Sequence, residues 1–248
     1  MQTKLLKESL YKNLFPQLMC WYKSPENAAT SAQKITSDIY ICSNFQQVPQ
    51  LRFKGFKQPW QEVTLKQVAK VVSGGTPKTC EPSYWHNGEI NWFTPTELGE
   101  SVYLSLSKRK ISAVGLKYSA ARMLPAGTIL FTSRAGIGKS AILASPAATN
   151  QGFQSLIPIT EKLDTYFTYV ITKFLAVEAK YLAHGTTFDE ISGKTLKQIS
   201  LLLPELAEQQ RIGKLFALLD QRYAQLELLS KQLEQYKEIL MQKMLITV

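Results

Sequence analysis

The chain has 248 residues, 29 Lys+Arg against 19 Asp+Glu, a formal net charge of +10 and a pI near 9.4. With 45% hydrophobic and 19% charged residues it is a folding sequence, not a disordered polyelectrolyte, and its length suits one sizeable domain with an extension or two small domains. The basic excess favours a polyanionic partner, most simply nucleic acid, although many soluble proteins are mildly basic without one. The charge is uneven. Residues 1–60 carry eight basic and three acidic residues, residues 61–204 carry fifteen and ten, and residues 205–248 carry six of each. The three cysteines, Cys20, Cys42 and Cys80, form no CxxC pair, and the only histidines are His86 and His184. Reduced cytosolic thiols, no zinc site and a cytoplasmic protein are the expectation. No stretch is apolar enough to span a membrane, and the N-terminus lacks the pattern of a secretory signal.

Residues 1–16 read as a short amphipathic helix ending at Pro16. Residues 17–49 are mixed and polar and read as an irregular linker. Leu51-Arg52-Phe53-Lys54-Gly55-Phe56, followed by Trp60, reads as a strand or an anchor leading into a domain. That globular domain spans about residues 50–204. Val63–Val72 is expected to be a strand leading into a helix. Ser73-Gly74-Gly75-Thr76-Pro77 must turn, because paired glycines before a proline break either regular structure. Ile90–Thr94, Thr128–Ser133, Ala141–Ala144 and Phe153–Ile159 read as strands. Tyr166–Leu182 has helical periodicity. Leu201-Leu202-Leu203 closes at Pro204, and proline in a tolerated first-turn position opens a long helix over residues 205–248. The predicted fold class is α+β, one globular domain followed by a coiled-coil helix.

In that last helix the apolar positions Ile212, Leu215, Leu219, Leu226, Leu229, Leu233, Tyr236 and Leu240 keep steps of three, four or seven residues, with Arg222 and Lys243 interrupting. A narrow apolar stripe of this kind packs along another helix. Its final phrase, Lys237-Glu238-Ile239-Leu240, echoes Lys7-Glu8-Ser9-Leu10 near the start. Either the chain is one unit of a tandem architecture, or two short amphipathic segments agree by coincidence.

The motifs argue against catalysis. Gly138-Lys139-Ser140 resembles the end of a phosphate loop, but the glycine required five residues earlier is Ser133. A Gly-rich turn carrying Arg134 and Lys139 can still offer backbone N–H groups and two cations to a phosphate. Asp189-Glu190 with Lys194 is the nearest approach to a nuclease site, and paired acids there are more simply a helix start. No Pro-Pro-Tyr methyltransferase motif occurs. Lys108, Arg109, Lys110, Lys117, Arg122, Arg134 and Lys139 are candidate phosphate contacts, each weighed against an ordinary solvated charge. Asn150-Gln151-Gly152-Phe153-Gln154 is amide-rich, and amides read adenine edges bidentately, as arginine reads guanine. Trp85 and Trp92, with Tyr84, read as core rather than base-stacking platforms.

Several strings occur together in a specific order: Ser73–Pro77, Tyr84-Trp85, Gly88-x-Ile90-x-Trp92, Leu124–Lys139, Asn150–Phe153 and Leu203–Ile212. Over about residues 50–246 the chain resembles the DNA specificity subunits of type I restriction–modification systems. The resemblance implies a target-recognition domain that reads double-stranded DNA, with Thr76, Lys78, Lys108, Arg109, Lys110, Arg134, Lys139, Asn150, Gln151 and Gln154 as its contact residues. It implies a non-catalytic chain whose partners are methyltransferase subunits and a restriction and translocation subunit. S-adenosylmethionine, ATP and magnesium would sit on those partners, with no cofactor in this chain. Such subunits usually hold two recognition domains separated by two antiparallel helices. One recognition domain and one long helix here imply a half-subunit that homodimerises or pairs with another half. A coiled-coil scaffold, or a truncated specificity fragment binding protein without reading DNA, is the alternative.

Overall fold

A computed structural model describes residues 5–10, 15, 32–36, 39–42, 52–99, 101–134, 136–183 and 189–245. They form two compact units, one holding Arg52–Gly213 and the other gathering the described residues before Ser43 with those from Lys214 onward. The fold is α+β, with a long C-terminal helix, as the sequence anticipates.

In the smaller unit residues 5–10 are helical. Strands β1 (Ala32–Thr36) and β2 (Ile39–Cys42) pair antiparallel, Ala32 opposite Cys42. This hairpin lies where the sequence reads as an irregular linker. The remainder of residues 17–49 lies outside the described residues.

The larger unit opens without a strand at residues 52–60. Of the two expectations for this segment, strand or anchor, the second fits. Trp60 is 1% exposed, and Arg52 is fixed by a buried ion pair described below. The chain then forms β3 (Gln61–Thr64), a single helical turn α1 (Leu65–Val68) and β4 (Ala69–Ser73). Gln67 closes the turn at its start, its side-chain oxygen accepting from Thr64 N at 2.6 Å and Oγ1 at 2.8 Å. That satisfies a backbone donor the short helix leaves open. Val71 and Val72 then favour extended chain.

Three further strands follow: β5 (Ile90–Phe93), β6 (Tyr103–Leu104) and β7 (Arg109–Ile111), and then the short helix α2 (Ala113–Lys117). The hairpin of β8 (Ile129–Phe131) and β9 (Ser140–Leu143) precedes β10 (Ala148–Thr149) and β11 (Gln154–Pro158). The main sheet has the order β4-β11-β8-β9-β6, and a second has the order β10-β5-β7. β4 and β11 are antiparallel, with Ser73 opposite Gln154 and Ala69 opposite Pro158. Proline is tolerated there because it ends its strand. β5 is antiparallel to β7 and parallel to β10.

Phe93, Leu98, Leu124, Leu130, Ala141, Leu143, Ala147 and Phe153 form one core cluster. Helix α3 (Thr165–Ala183) buries Phe167, Val170, Ile171, Leu175, Ala179 and Ala183, one stripe at helical spacing. Asp164 caps it, accepting from Phe167 N at 2.8 Å. After α4 (Gly193–Leu196), strand β12 (Ser200–Leu203) pairs antiparallel with β3.

Helix α5 (Leu206–Leu245) has 40 residues and is about 60 Å long at 1.5 Å per residue. Its first turns belong to the larger unit. The Glu208 carboxylate takes two hydrogen bonds from the Arg52 guanidinium, at 2.8 and 2.7 Å. Gln209 is 2% exposed. It accepts from Asp164 N at 3.0 Å and donates to the carbonyls of Lys162 and Pro204. Ile212 is fully buried. It is therefore not part of the exposed stripe further along the helix. In the smaller unit Phe216 is buried against Phe15, ring centroids 6.3 Å apart, and Lys7 pairs with Asp220. Leu215 and Leu219 are half-buried. Leu226, Leu229, Leu233, Tyr236 and Leu240 are 42–66% exposed, an apolar stripe that the described residues leave uncovered.

Candidate nucleic-acid interface

The Ser73–Pro77 turn is held by backbone contacts that only glycine permits. Gly75 N donates to Thr149 O at 2.9 Å. A Cβ on Gly74 would lie 2.1 Å from Asn150 O, and one on Gly75 would lie 2.3 Å from the Ala120 carbonyl carbon. Two indoles complete the support: Trp92 Nε1 donates to Gly75 O at 2.9 Å, and Trp85 Nε1 to Lys78 O at 3.0 Å. The turn thus presents Thr76 and Lys78, both exposed. The Thr76 hydroxyl donates to Gln151 Oε1 at 2.5 Å, so the structure joins two segments that sequence reading could only name separately. Replacing Trp92, which is 3% exposed, with phenylalanine leaves the buried Gly75 carbonyl without its donor. We expect a loss of about 1–3 kcal/mol in chemical denaturation.

Arg109 meets the same supports from β7. Its backbone lies opposite Trp92, and its guanidinium carbon sits 3.8 Å above the Trp85 ring centroid and 5.6 Å from that of Trp92. Trp85 stands edge-on to Trp92, centroids 5.2 Å apart, planes at 88°. Trp92 is core, as expected, and Trp85, half-buried, packs against the same core cluster while its ring also carries Arg109. The approach to β7 is pinned as well. Glu97 accepts from Lys108 N at 2.7 Å and from Thr94 N and Oγ1. The Ser107 hydroxyl accepts from Trp92 N. Lys108 and Lys110 are exposed around Arg109.

Other expected contacts are placed differently. Gln154 is 7% exposed, accepts from Ser73 Oγ at 2.8 Å and lies against Gly193. It is a structural amide inside β11, which corrects its assignment as a DNA contact. Asn150 is half-buried, and its side-chain oxygen accepts from Gly152 N at 2.9 Å. Arg134 is half-buried and Lys139 exposed on the β8–β9 turn. Two of that turn's amides are already spent inside it. Gly138 N donates to Thr132 O at 3.0 Å and Lys139 N to Thr132 Oγ1 at 2.9 Å. Gly136 and Gly138 have φ of +102° and +94°, the left-handed geometry that makes this closure possible. The turn's neighbour is nevertheless the Asn150–Gly152 segment, since Ser133 N donates to Gly152 O at 2.9 Å. Asp189-Glu190 do not start a helix. The cap of α4 is Ser192, accepting from Thr195 N at 3.0 Å.

The larger unit is therefore an α+β domain whose loops and β7 carry cations and amides on a rigid aromatic and glycine-built support. Residues 57–235 match the family described as the type I restriction modification DNA specificity domain, and the chain belongs to that family. It is 38% identical over 164 residues to the MjaIX type I restriction enzyme specificity subunit of Methanocaldococcus jannaschii, covering 65% of this chain and 38% of that protein. It is 28% identical over 206 residues to the EcoR124I/EcoR124II specificity subunit of Escherichia coli, covering 77% and 50%. The crystal structure of the HsdS subunit from Thermoanaerobacter tengcongensis shares the fold, with a TM-score of 0.55 at 18% identity over 91% of this chain and 45% of that one. The chain thus spans half, or less, of the length of these relatives. Among the described residues, no helix is long and apolar enough to cross a membrane, and no cluster of His, Cys, Asp and Glu could hold a metal ion.

Proposed function

We propose that this chain reads one half of a split double-stranded DNA site for a type I restriction–modification complex. The observation that carries the reading is the Gly74–Lys78 turn, braced by Trp85, Trp92 and Thr149, beside exposed Lys108, Arg109 and Lys110. The family supports it. In this reading the chain acts in the cytoplasm and supplies no catalytic group. Methyltransferase subunits bring S-adenosylmethionine, and a restriction and translocation subunit brings ATP and magnesium. The chain, with its methyltransferase subunits, is expected to bind a cognate duplex with an affinity that falls steeply with salt. The log–log slope is about −0.9 per phosphate contacted. Binding that ignores both sequence and salt would remove the reading.

The exposed stripe of α5 favours a helix partner, because contiguous apolar surface of this kind marks an interaction site. In the proposed complex it is a second copy of this chain or another specificity half. Leu226→Asp with Leu233→Asp is expected to abolish that pairing while the domain keeps its melting transition. Light scattering decides, and an unchanged association state would exclude these positions from the interface. The scaffold alternative shares this stripe but predicts no DNA selectivity.

A further inference from the structure

Resting on the DNA-reading function proposed above, we propose that Arg109 reads a guanine base edge, and that Trp85 is the positioning residue that aims it. The expectation from sequence makes Arg109 one of several phosphate contacts. Its surroundings separate it from them. The guanidinium lies over the Trp85 ring at 3.8 Å. The ring is fixed at one side by its own hydrogen bond to Lys78 O and at another by edge-on packing against buried Trp92. The Arg109 backbone is fixed too, by pairing with Trp92 and by the Ser107 hydroxyl donating to its carbonyl.

Stacking occupies a face of the guanidinium and leaves its in-plane N–H fork open. The Arg109 guanidinium makes no hydrogen bond or ion pair to a described residue, the Ser107 bond being to the backbone carbonyl, and the side chain is exposed. A fork of donors with no acceptor selects a partner presenting two acceptors on one edge. In duplex DNA that means guanine O6 and N7 in the major groove, or a phosphate. A phosphate needs charge nearby and tolerates many approaches, whereas base reading needs a fixed direction. The rigid platform is what base reading requires. Lys110, one position along β7 and so on the opposite face, has no such support and suits the backbone.

The test is selection of duplexes from a randomised pool by the chain assembled with its methyltransferase subunits, followed by binding across a salt series. The intact chain is expected to select a motif containing guanine. Arg109→Gln is expected to lose preference for guanine at one position, roughly ten- to a hundredfold, with the other positions and the salt slope unchanged. Trp85→Leu, which keeps the charge, is expected to weaken preference at that same position. Lys110→Gln is expected to weaken all sequences evenly and to reduce the salt slope by about one. Because Arg109 is exposed, its variant should melt like the parent, which separates misfolding from lost reading. An Arg109→Gln variant that selects the parent's motif, with a slope reduced by about one, makes Arg109 a phosphate contact and overturns the proposal. Retained guanine preference in Trp85→Leu overturns the positioning role. If the intact chain selects no motif at all, the DNA-reading function itself fails and this proposal falls with it.

Discussion

Arg52→Ala is expected to cost the larger unit about 3–5 kcal/mol. The Glu208 side chain is 1% exposed and that of Arg52 11%, and the guanidinium donates to both carboxylate oxygens, at 2.8 and 2.7 Å. The bond to Glu208 also raises the Arg52 pKa above its ordinary value, against the opposing effect of burial. Alanine would leave the Glu208 carboxylate buried without its cation, at the first turn of α5. The cost is that of an uncompensated charge more than of a lost attraction, and this distinction is measurable. Arg52→Met combined with Glu208→Leu removes both charges and fills the space, so most of the loss should return. A double variant as unstable as Arg52→Ala would mean that the pair does more than neutralise itself.

The second large effect is expected at Gly74. A methyl group there meets Asn150 O at 2.1 Å, Thr149 Oγ1 at 2.3 Å and Thr149 O at 2.5 Å. Two of these atoms are backbone and cannot swing aside. Gly74→Ala must move the turn away from β10, which breaks the Gly75–Thr149 bond and displaces Thr76 from Gln151. We expect a loss of about 3 kcal/mol, the upper end of ordinary overpacking, which in a domain of this size is a fall in Tm of roughly 6–12 °C. Gly99→Ala is the control, because a Cβ there meets nothing within 4 Å. It should be neutral or slightly stabilising. Equal melting of the two variants would contradict the account of the turn. Gly74→Ala should also weaken DNA selection even in the fraction that remains folded, since the turn carries Lys78.

Much of this architecture is legible in the sequence because local preference and tertiary environment agree. The β-branched and aromatic runs at Ile90–Phe93 and Ile129–Phe131 become buried strands, and the periodic stretch near Tyr166 becomes α3. β6 and β10 are illegible because two residues make a strand only through their neighbours, β9 and β5. Gln154 and Gln151 show the same limit within the site. Two amides three residues apart look alike in sequence. One is the exposed partner of Thr76 and the other lies inside β11 against Ser73. Its position inside the apolar Phe153–Ile159 strand is the available signal, since Phe153, Ser155 and Leu156 around it are all buried. Ile212 differs in the opposite way, since the same three- and four-residue spacing begins in a buried first part of the helix and continues, past Arg222, into an exposed one. Glu208 and Gln209 read as ordinary polar residues of a first turn. Only the fold shows that they tie α5 to Arg52 and to the start of α3. Trp85 is the most instructive case. Composition places tryptophan in the core, but its role comes from the Arg109 that the β5–β7 register sets over it.

The measurement that tests the central claim most directly is a map of methylated bases in the genomic DNA of cells with and without this gene, neighbouring modification genes intact. The account predicts that removing the chain abolishes methylation at one split adenine motif, and that restoring it brings back the same motif. A palindromic motif would mean pairing of two identical chains, and an asymmetric one would mean pairing with another half. A methylation map unchanged by removal of the chain would contradict the account.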